Sequence, residues 1–204
     1  MEHLFNEQKI YTYQDLAKID DDKRYEIYDG KLILMSSPTT KHQLILGDLL
    51  VQFSTFFKGK KCVPFVAALD VRLDAKGKKS TNVVQPDLMV VCDRSKIKEN
   101  GIEGAPDFVL EILSKYNRYN DLIYKMNLYQ KFGVKEYWIV DIDAGLITVC
   151  KMGKGNLFNL PKSYEIKDKI KSVIFPELEI CLEDTFKNNQ NILKEDEEIY
   201  YNER

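Results

Sequence analysis

Apolar and polar positions change period several times along this chain, and each change predicts an element. Tyr25-Glu26-Ile27-Tyr28 and Lys31-Leu32-Ile33-Leu34-Met35 flank Asp29-Gly30, two strand-like arms around the two-residue turn that marks a hairpin. Ile45, Leu46, Leu49, Phe53, Phe56 and Phe57 recur at helical spacing, so a helix is predicted from Lys41 to Phe57. Thr39 or Thr40 can cap it behind Pro38, and it stops near Gly59. Upstream, Thr12 can cap a short helix from Tyr13 to Ile19 with Asp15 in its first turn. Lys61 to Ala68 reads as a strand that Pro64 assigns to an edge or a bulge. Asp70 to Leu73 alternates as a half-buried strand does.

The second half carries the predicted core. Val83 to Val91 and Asp107 to Leu113 are the first two central strands, joined by the polar loop Cys92 to Pro106. In the second, Phe108, Leu110 and Ile112 point one way, and Val109, Glu111 and Leu113 the other. Both faces are apolar, so the strand is buried on both sides. After the polar turn from Ser114, a helix from Tyr119 to Phe132 presents Leu122, Ile123, Met126, Tyr129 and Phe132, and Gly133 stops it. Lys135 to Asp141 is a third buried strand, turned by Asp143-Ala144-Gly145 into Leu146 to Lys151. Short strands are expected at Asn156 to Leu160, Val173 to Phe175 and Leu178 to Leu182, with a last helical turn at Thr185 and Phe186. The whole predicts an α/β fold: a mixed central sheet flanked by helices, with hairpins at both ends. Residues 1–187 read as one domain and 188–204 as a polar tail.

Composition narrows this in two ways. A net charge of −2 over 204 residues gives no global basic field, so a nucleic-acid ligand would need a local basic patch. Lys76, Lys78 and Lys79 around Gly77 read as a solvated loop, and also as the most basic candidate for a phosphate-contacting lip. The four cysteines, Cys62, Cys92, Cys150 and Cys181, lack metal-ligand spacing and read as buried free thiols. With no apolar signal region or membrane-length run, that predicts a cytoplasmic protein.

Two acids stand where a core strand would not choose them. Asp87 follows the Gln85-Pro86 break, and Glu111 interrupts an apolar strand. A buried acid without a partner costs several kcal/mol or takes up a proton. Paired on neighbouring strands, they suit a hard divalent cation, with the main-chain carbonyl of Ile112 as a third oxygen. Lys125 lies i,i+4 from Asp121, which makes either a surface ion pair or an inward lysine beside the acids. Glu26 lies opposite Tyr25 and Ile27 on its strand. The pattern favours a solvated acid there, and the alternative aims it at the site. His42, in a first helical turn, reads as a surface or capping residue.

Glu26 on its hairpin, Pro86-Asp87, Glu111-Ile112-Leu113-Ser114, Asp121 with Lys125, and Gly133-Val134-Lys135-Glu136-Tyr137-Trp138-Ile139-Val140-Asp141 follow in an order that resembles the Uma-two family. These are restriction-endonuclease-like proteins of the PD-(D/E)xK nuclease superfamily, and the resemblance runs from Tyr13 to Leu182. It implies a magnesium- or manganese-dependent endonuclease acting on DNA, with Asp87 and Glu111 as metal-binding acids and Glu26 as an auxiliary acid. Leu113 stands where the superfamily pattern has its lysine. The resemblance moves that role to Lys125, with Lys115 as second candidate. Analogy with the family also suggests a homodimer. The alternative is a catalytically inactive fold that serves as a binding or dimerisation module, its acids being structural partners of Arg118 or Lys125.

Overall fold

The computed structural model describes residues 9–113, 120–183 and 186–187, with the backbone alone at 120–122. Lys115, Arg118, the side chain of Asp121 and the 188–204 tail lie outside the described residues or atoms.

Helix α1 (Tyr13–Leu16) is shorter than predicted, though its start is secure: Thr12 and Asp15 close a reciprocal capping box. Strands β1 (Tyr25–Tyr28) and β2 (Lys31–Leu34) form the Asp29-Gly30 hairpin, with φ positive at both turn residues. Helix α2 (Thr40–Phe57) is capped by Thr39, whose hydroxyl accepts the His42 N–H. Its buried face is His42, Ile45, Leu46, Leu49, Phe53 and Phe57.

The following strands form two six-stranded sheets instead of one. β3 (Val63–Val66) and β4 (Val71–Arg72) are followed by β5 (Val83–Val84) and β6 (Leu88–Val91). The predicted strand from Val83 to Val91 is thus two strands, and they belong to different sheets. Pro86 has no N–H to give to a ladder and restricts the residue before it, so the chain leaves one sheet at Val84 and joins the other at Leu88. Asp87 sits on that crossing. The predicted loop from Cys92 to Pro106 holds two short strands, β7 (Ile97–Lys98) and β8 (Gly101–Glu103). The first sheet runs β2-β1-β5-β4-β8-β7.

The second sheet takes β9 (Phe108–Ile112), β10 (Glu136–Asp141), β11 (Leu146–Lys151) and β12 (Lys162–Glu165), in the order β12-β11-β10-β9-β6-β3. Only β9 and β10 pair in parallel within it; the other neighbours are antiparallel. β3 is its edge, where Pro64 is tolerated. The crossover between the parallel pair ends in a π-helical turn (Asn120–Lys125) that runs into α3 (Met126–Phe132), stopped by Gly133 in the left-handed conformation. Two expected strands are misplaced. Residues 156–160 make only a single bridge, Met152 to Phe158, and the last hairpin is β13 (Lys169–Lys171) with β14 (Glu179–Cys181), not Val173 to Phe175. Pro161 and Pro176 sit in the breaks that shift these registers.

The second sheet is buried on both faces. Leu88, Val90, Phe108, Leu110, Trp138 and Val140 pack under α2 and the β13–β14 hairpin. Met89, Val91, Val109, Leu113, Tyr137 and Ile139 face α3 and residues of the first sheet, including Tyr28, Val71, Val84 and Ile102. Cys62 and Cys92 flank the β3–β6 pair, where Val63 registers with Val91, and form a disulfide. That corrects the expectation of four free thiols and removes the thiol argument for a reducing compartment. Cys150 and Cys181 are free. No helix among the described residues is long and apolar enough to cross a membrane.

Candidate active site

The acids predicted to matter meet where the two sheets and α2 converge. Antiparallel pairing sets Leu88 opposite Leu110, so one more step in that register places Asp87 opposite Glu111 on the same face. Glu26 arrives from β1, which pairs with β5 just before the crossing. Lys125 arrives from the π-helical turn. Glu26, Asp87, Glu111, Ile112 and Lys125 all line one cleft, together with Arg24, Tyr28, Gln85 and His42.

Within the cleft the lysine ties two acids together. The Lys125 ammonium lies 3.0 Å from Glu111 Oε1 and 3.3 Å from Glu26 Oε1. Burial opposes its charge, but Glu111 and then Glu26 outweigh burial and hold its pKa well above the ordinary lysine value. The ammonium therefore stays protonated throughout the neutral range. Of the two readings open in the sequence, Lys125 takes the inward one. Glu26 is likewise buried, at 3% exposure, which overturns the solvated reading favoured by pattern.

Each acid is further oriented by neighbours to which the sequence reading gave no such role, including His42, read as a surface or capping residue and found buried against Asp87. Tyr129, one turn after Lys125 on the same helix face, donates its hydroxyl to Glu111 Oε1 at 2.6 Å. Tyr28 donates to Glu26 Oε2, and the Gln85 N–H donates to Glu26 Oε1 at 2.7 Å. Burial raises the pKa of both phenols, so both remain donors. The Ile112 N–H donates to Asp87 Oδ2 at 2.7 Å, and His42 Nε2 lies 3.1 Å from the same oxygen. Two signals for these residues were in the sequence: Tyr28 shares Glu26's face at i,i+2, and His42 falls in phase with the apolar stripe of α2. The lysine loop is not at the cleft; Lys76, Lys78 and Lys79 are exposed elsewhere, and half-buried Arg24 joins the buried Lys125 as the second cation of the site.

Other buried acids show what a purely structural carboxylate looks like here. Glu136, fully buried on β10, accepts from Trp138 Nε1, Ser172 Oγ and the N–H groups of Val173 and Ile174, and lines no described cleft. In the cleft, by contrast, two carboxylates hold the Lys125 ammonium and a third, Asp87, lines the same polar opening, so its three acids outnumber the two cations, Lys125 and Arg24. That excess, and an all-oxygen donor set in Asp87, Glu111 and the Ile112 carbonyl, fit a hard divalent cation. Among the described residues no three His, Cys, Asp or Glu side chains are gathered as a complete cage, but magnesium takes one or two carboxylates and keeps several waters.

A crystal structure of a putative nuclease belonging to DUF820 from Anabaena variabilis ATCC 29413 superimposes with a TM-score of 0.69 at 21% identity. The match covers 87% of this chain and 98% of that one, and it establishes a restriction-endonuclease-like fold. No curated protein matches the chain. Residues 10–183 match the model of a family described as "Putative restriction endonuclease". A chain that matches over that length, with this fold and with the acids of its two sheets gathered on one lysine, belongs to the Uma2 family.

Proposed function

We propose that the cleft hydrolyses phosphodiester bonds in DNA with the help of a magnesium or manganese ion. The observation that carries this is the Lys125 ammonium held between Glu26 and Glu111 in the same opening that Asp87 lines. Asp87, Glu111 and the carbonyl of Ile112 would hold the cation, which would polarise the phosphate and lower the pKa of a bound water. Lys125 remains charged because two acids surround it, so it offsets negative charge that builds on the phosphoryl oxygens in the transition state. Glu26, tied down by Tyr28 and the Gln85 N–H, fixes where that ammonium sits. Tyr129 fixes Glu111 in the same way. Arg24 stands at the cleft with a Met35 thioether contact at 3.8 Å and no carboxylate partner among the described residues, which suits a contact with a substrate phosphate.

One observation favours the alternative of an inactive binding or dimerisation module: Lys125 pairs with both glutamates, which gives the two acids a structural partner. The two readings part in a cleavage assay on supercoiled, linear, single-stranded and branched DNA with magnesium or manganese. The nuclease reading expects cleavage by the native chain and its loss in Glu111→Gln and Asp87→Asn, both with native circular dichroism. No cleavage of any substrate with either metal would leave a fold without this activity.

A further inference from the structure

Position 42 is where α2 departs from its own pattern. Ile45, Leu46, Leu49 and Phe53 form the stripe that packs on the second sheet, and helical phase puts residue 42 on that stripe. An apolar side chain would serve packing there. The chain instead has a histidine, 7% exposed, whose Nδ1 is buried with no hydrogen-bond partner among the described residues. A buried polar atom left unsatisfied works against folding, so packing alone does not account for this residue.

Its other nitrogen has a definite partner. Nε2 lies 3.1 Å from Asp87 Oδ2, the oxygen that also accepts the Ile112 N–H at 2.7 Å. The Thr39 cap sets this geometry from the other side, because its hydroxyl accepts the His42 main-chain N–H at 3.2 Å. Asp87 Oδ2 is therefore approached from two different elements: β9 donates the Ile112 N–H to it, and α2 sets the His42 imidazole edge against it at ion-pair distance. Among the described residues Oδ1 has no hydrogen-bond partner, and the aspartate side chain is 16% exposed at the cleft.

We propose that His42 is a positioning residue for Asp87. The Nε2 edge of the imidazole, 3.1 Å from Oδ2, braces the carboxylate so that Oδ1 is presented to the divalent cation. This rests on the metal-dependent reading above. Partners that orient a metal-ligating group commonly contribute 10–100-fold in metal affinity.

The test is calorimetric titration of manganese into the native chain, His42→Leu, His42→Gln and Asp87→Asn, with thermal unfolding of each in chelator. His42→Leu completes the apolar stripe and removes the orphaned nitrogen, so its melting temperature should hold or rise while its manganese affinity falls by about 10–100-fold. His42→Gln, which can still direct an amide N–H at Asp87, should recover most of that affinity. Unchanged affinity in His42→Leu overturns the proposal. So does a His42→Gln variant as weak as His42→Leu, because the polar contact with Asp87 would then not be the agent. If the native chain itself binds no manganese, the metal reading fails first and this one with it. Native binding lost in Asp87→Asn but kept in His42→Leu fails this proposal alone.

Discussion

Glu111 and Glu136 are both buried glutamates on adjacent strands, yet their surroundings assign them different tasks. Glu136 spends its oxygens on an indole N–H, a hydroxyl and two backbone N–H groups that pin the segment after β13 to the sheet. Replacing it with alanine orphans those donors, so Glu136→Ala should cost about 3–5 kcal/mol in urea denaturation, the loss typical of a broken buried charged network. Glu111 shares its Oε1 between a lysine and a tyrosine at the wall of an opening. The difference between the two acids lies in whether space remains for a ligand, which neither residue's neighbours in sequence reveal.

Helix α2 connects folding to the site. Its Ile45, Leu49 and Phe53 are fully buried against the second sheet, with Phe53 and Phe108 rings 5.2 Å apart between centroids. Its first turn delivers His42 to Asp87, and Thr39 fixes that turn. Thr39→Ala removes the cap and should lower stability by about 1 kcal/mol in chemical denaturation. The loop strands β7 and β8 depend on a different kind of local device. Gly101 has φ +117°, and a side chain there would run into the Asp70 carbonyl that receives the Ile102 N–H at 2.8 Å. The extra strands in the stretch predicted as loop are held by that close approach, by pairing with β4 and by the one fully buried side chain of Ile102, so no apolar run marks them in the sequence.

Taken together, the chain places a locally acidic cleft in a molecule of net charge −2, so attraction of a nucleic acid must come from few cations. Lys125 is buried between two glutamates and Arg24 is the half-buried cation at the opening, so Arg24→Ala should weaken DNA binding at all sequences alike. Losing one phosphate contact should also flatten the slope of log affinity against log salt by about 0.9 on duplex DNA. The measurement is fluorescence anisotropy in calcium across a salt series. An unchanged slope would remove Arg24 from the contact set. The triple substitution of Lys76, Lys78 and Lys79 is the control that should leave cleft chemistry intact, since those side chains lie away from it.

Local chemistry was enough to read the hairpin at Asp29-Gly30, the α2 stripe, both faces of β9 and the two misfit acids, because each depends on periods or turn residues within a few positions. The disulfide between Cys62 and Cys92 was not readable, since it arises from pairing across 30 residues. The same holds for the split of Val83 to Val91 between two sheets. Pro86 marked a break, but only three-dimensional packing turned that break into a crossing that sets Asp87 opposite Glu111. Glu26 looked solvated because alternation assumes one wet face, and a second sheet covers that face. Lys125 was undecided because a helix position alone does not say which neighbour is near. Folding settled it, by bringing two carboxylates from separate sheets within reach of one ammonium.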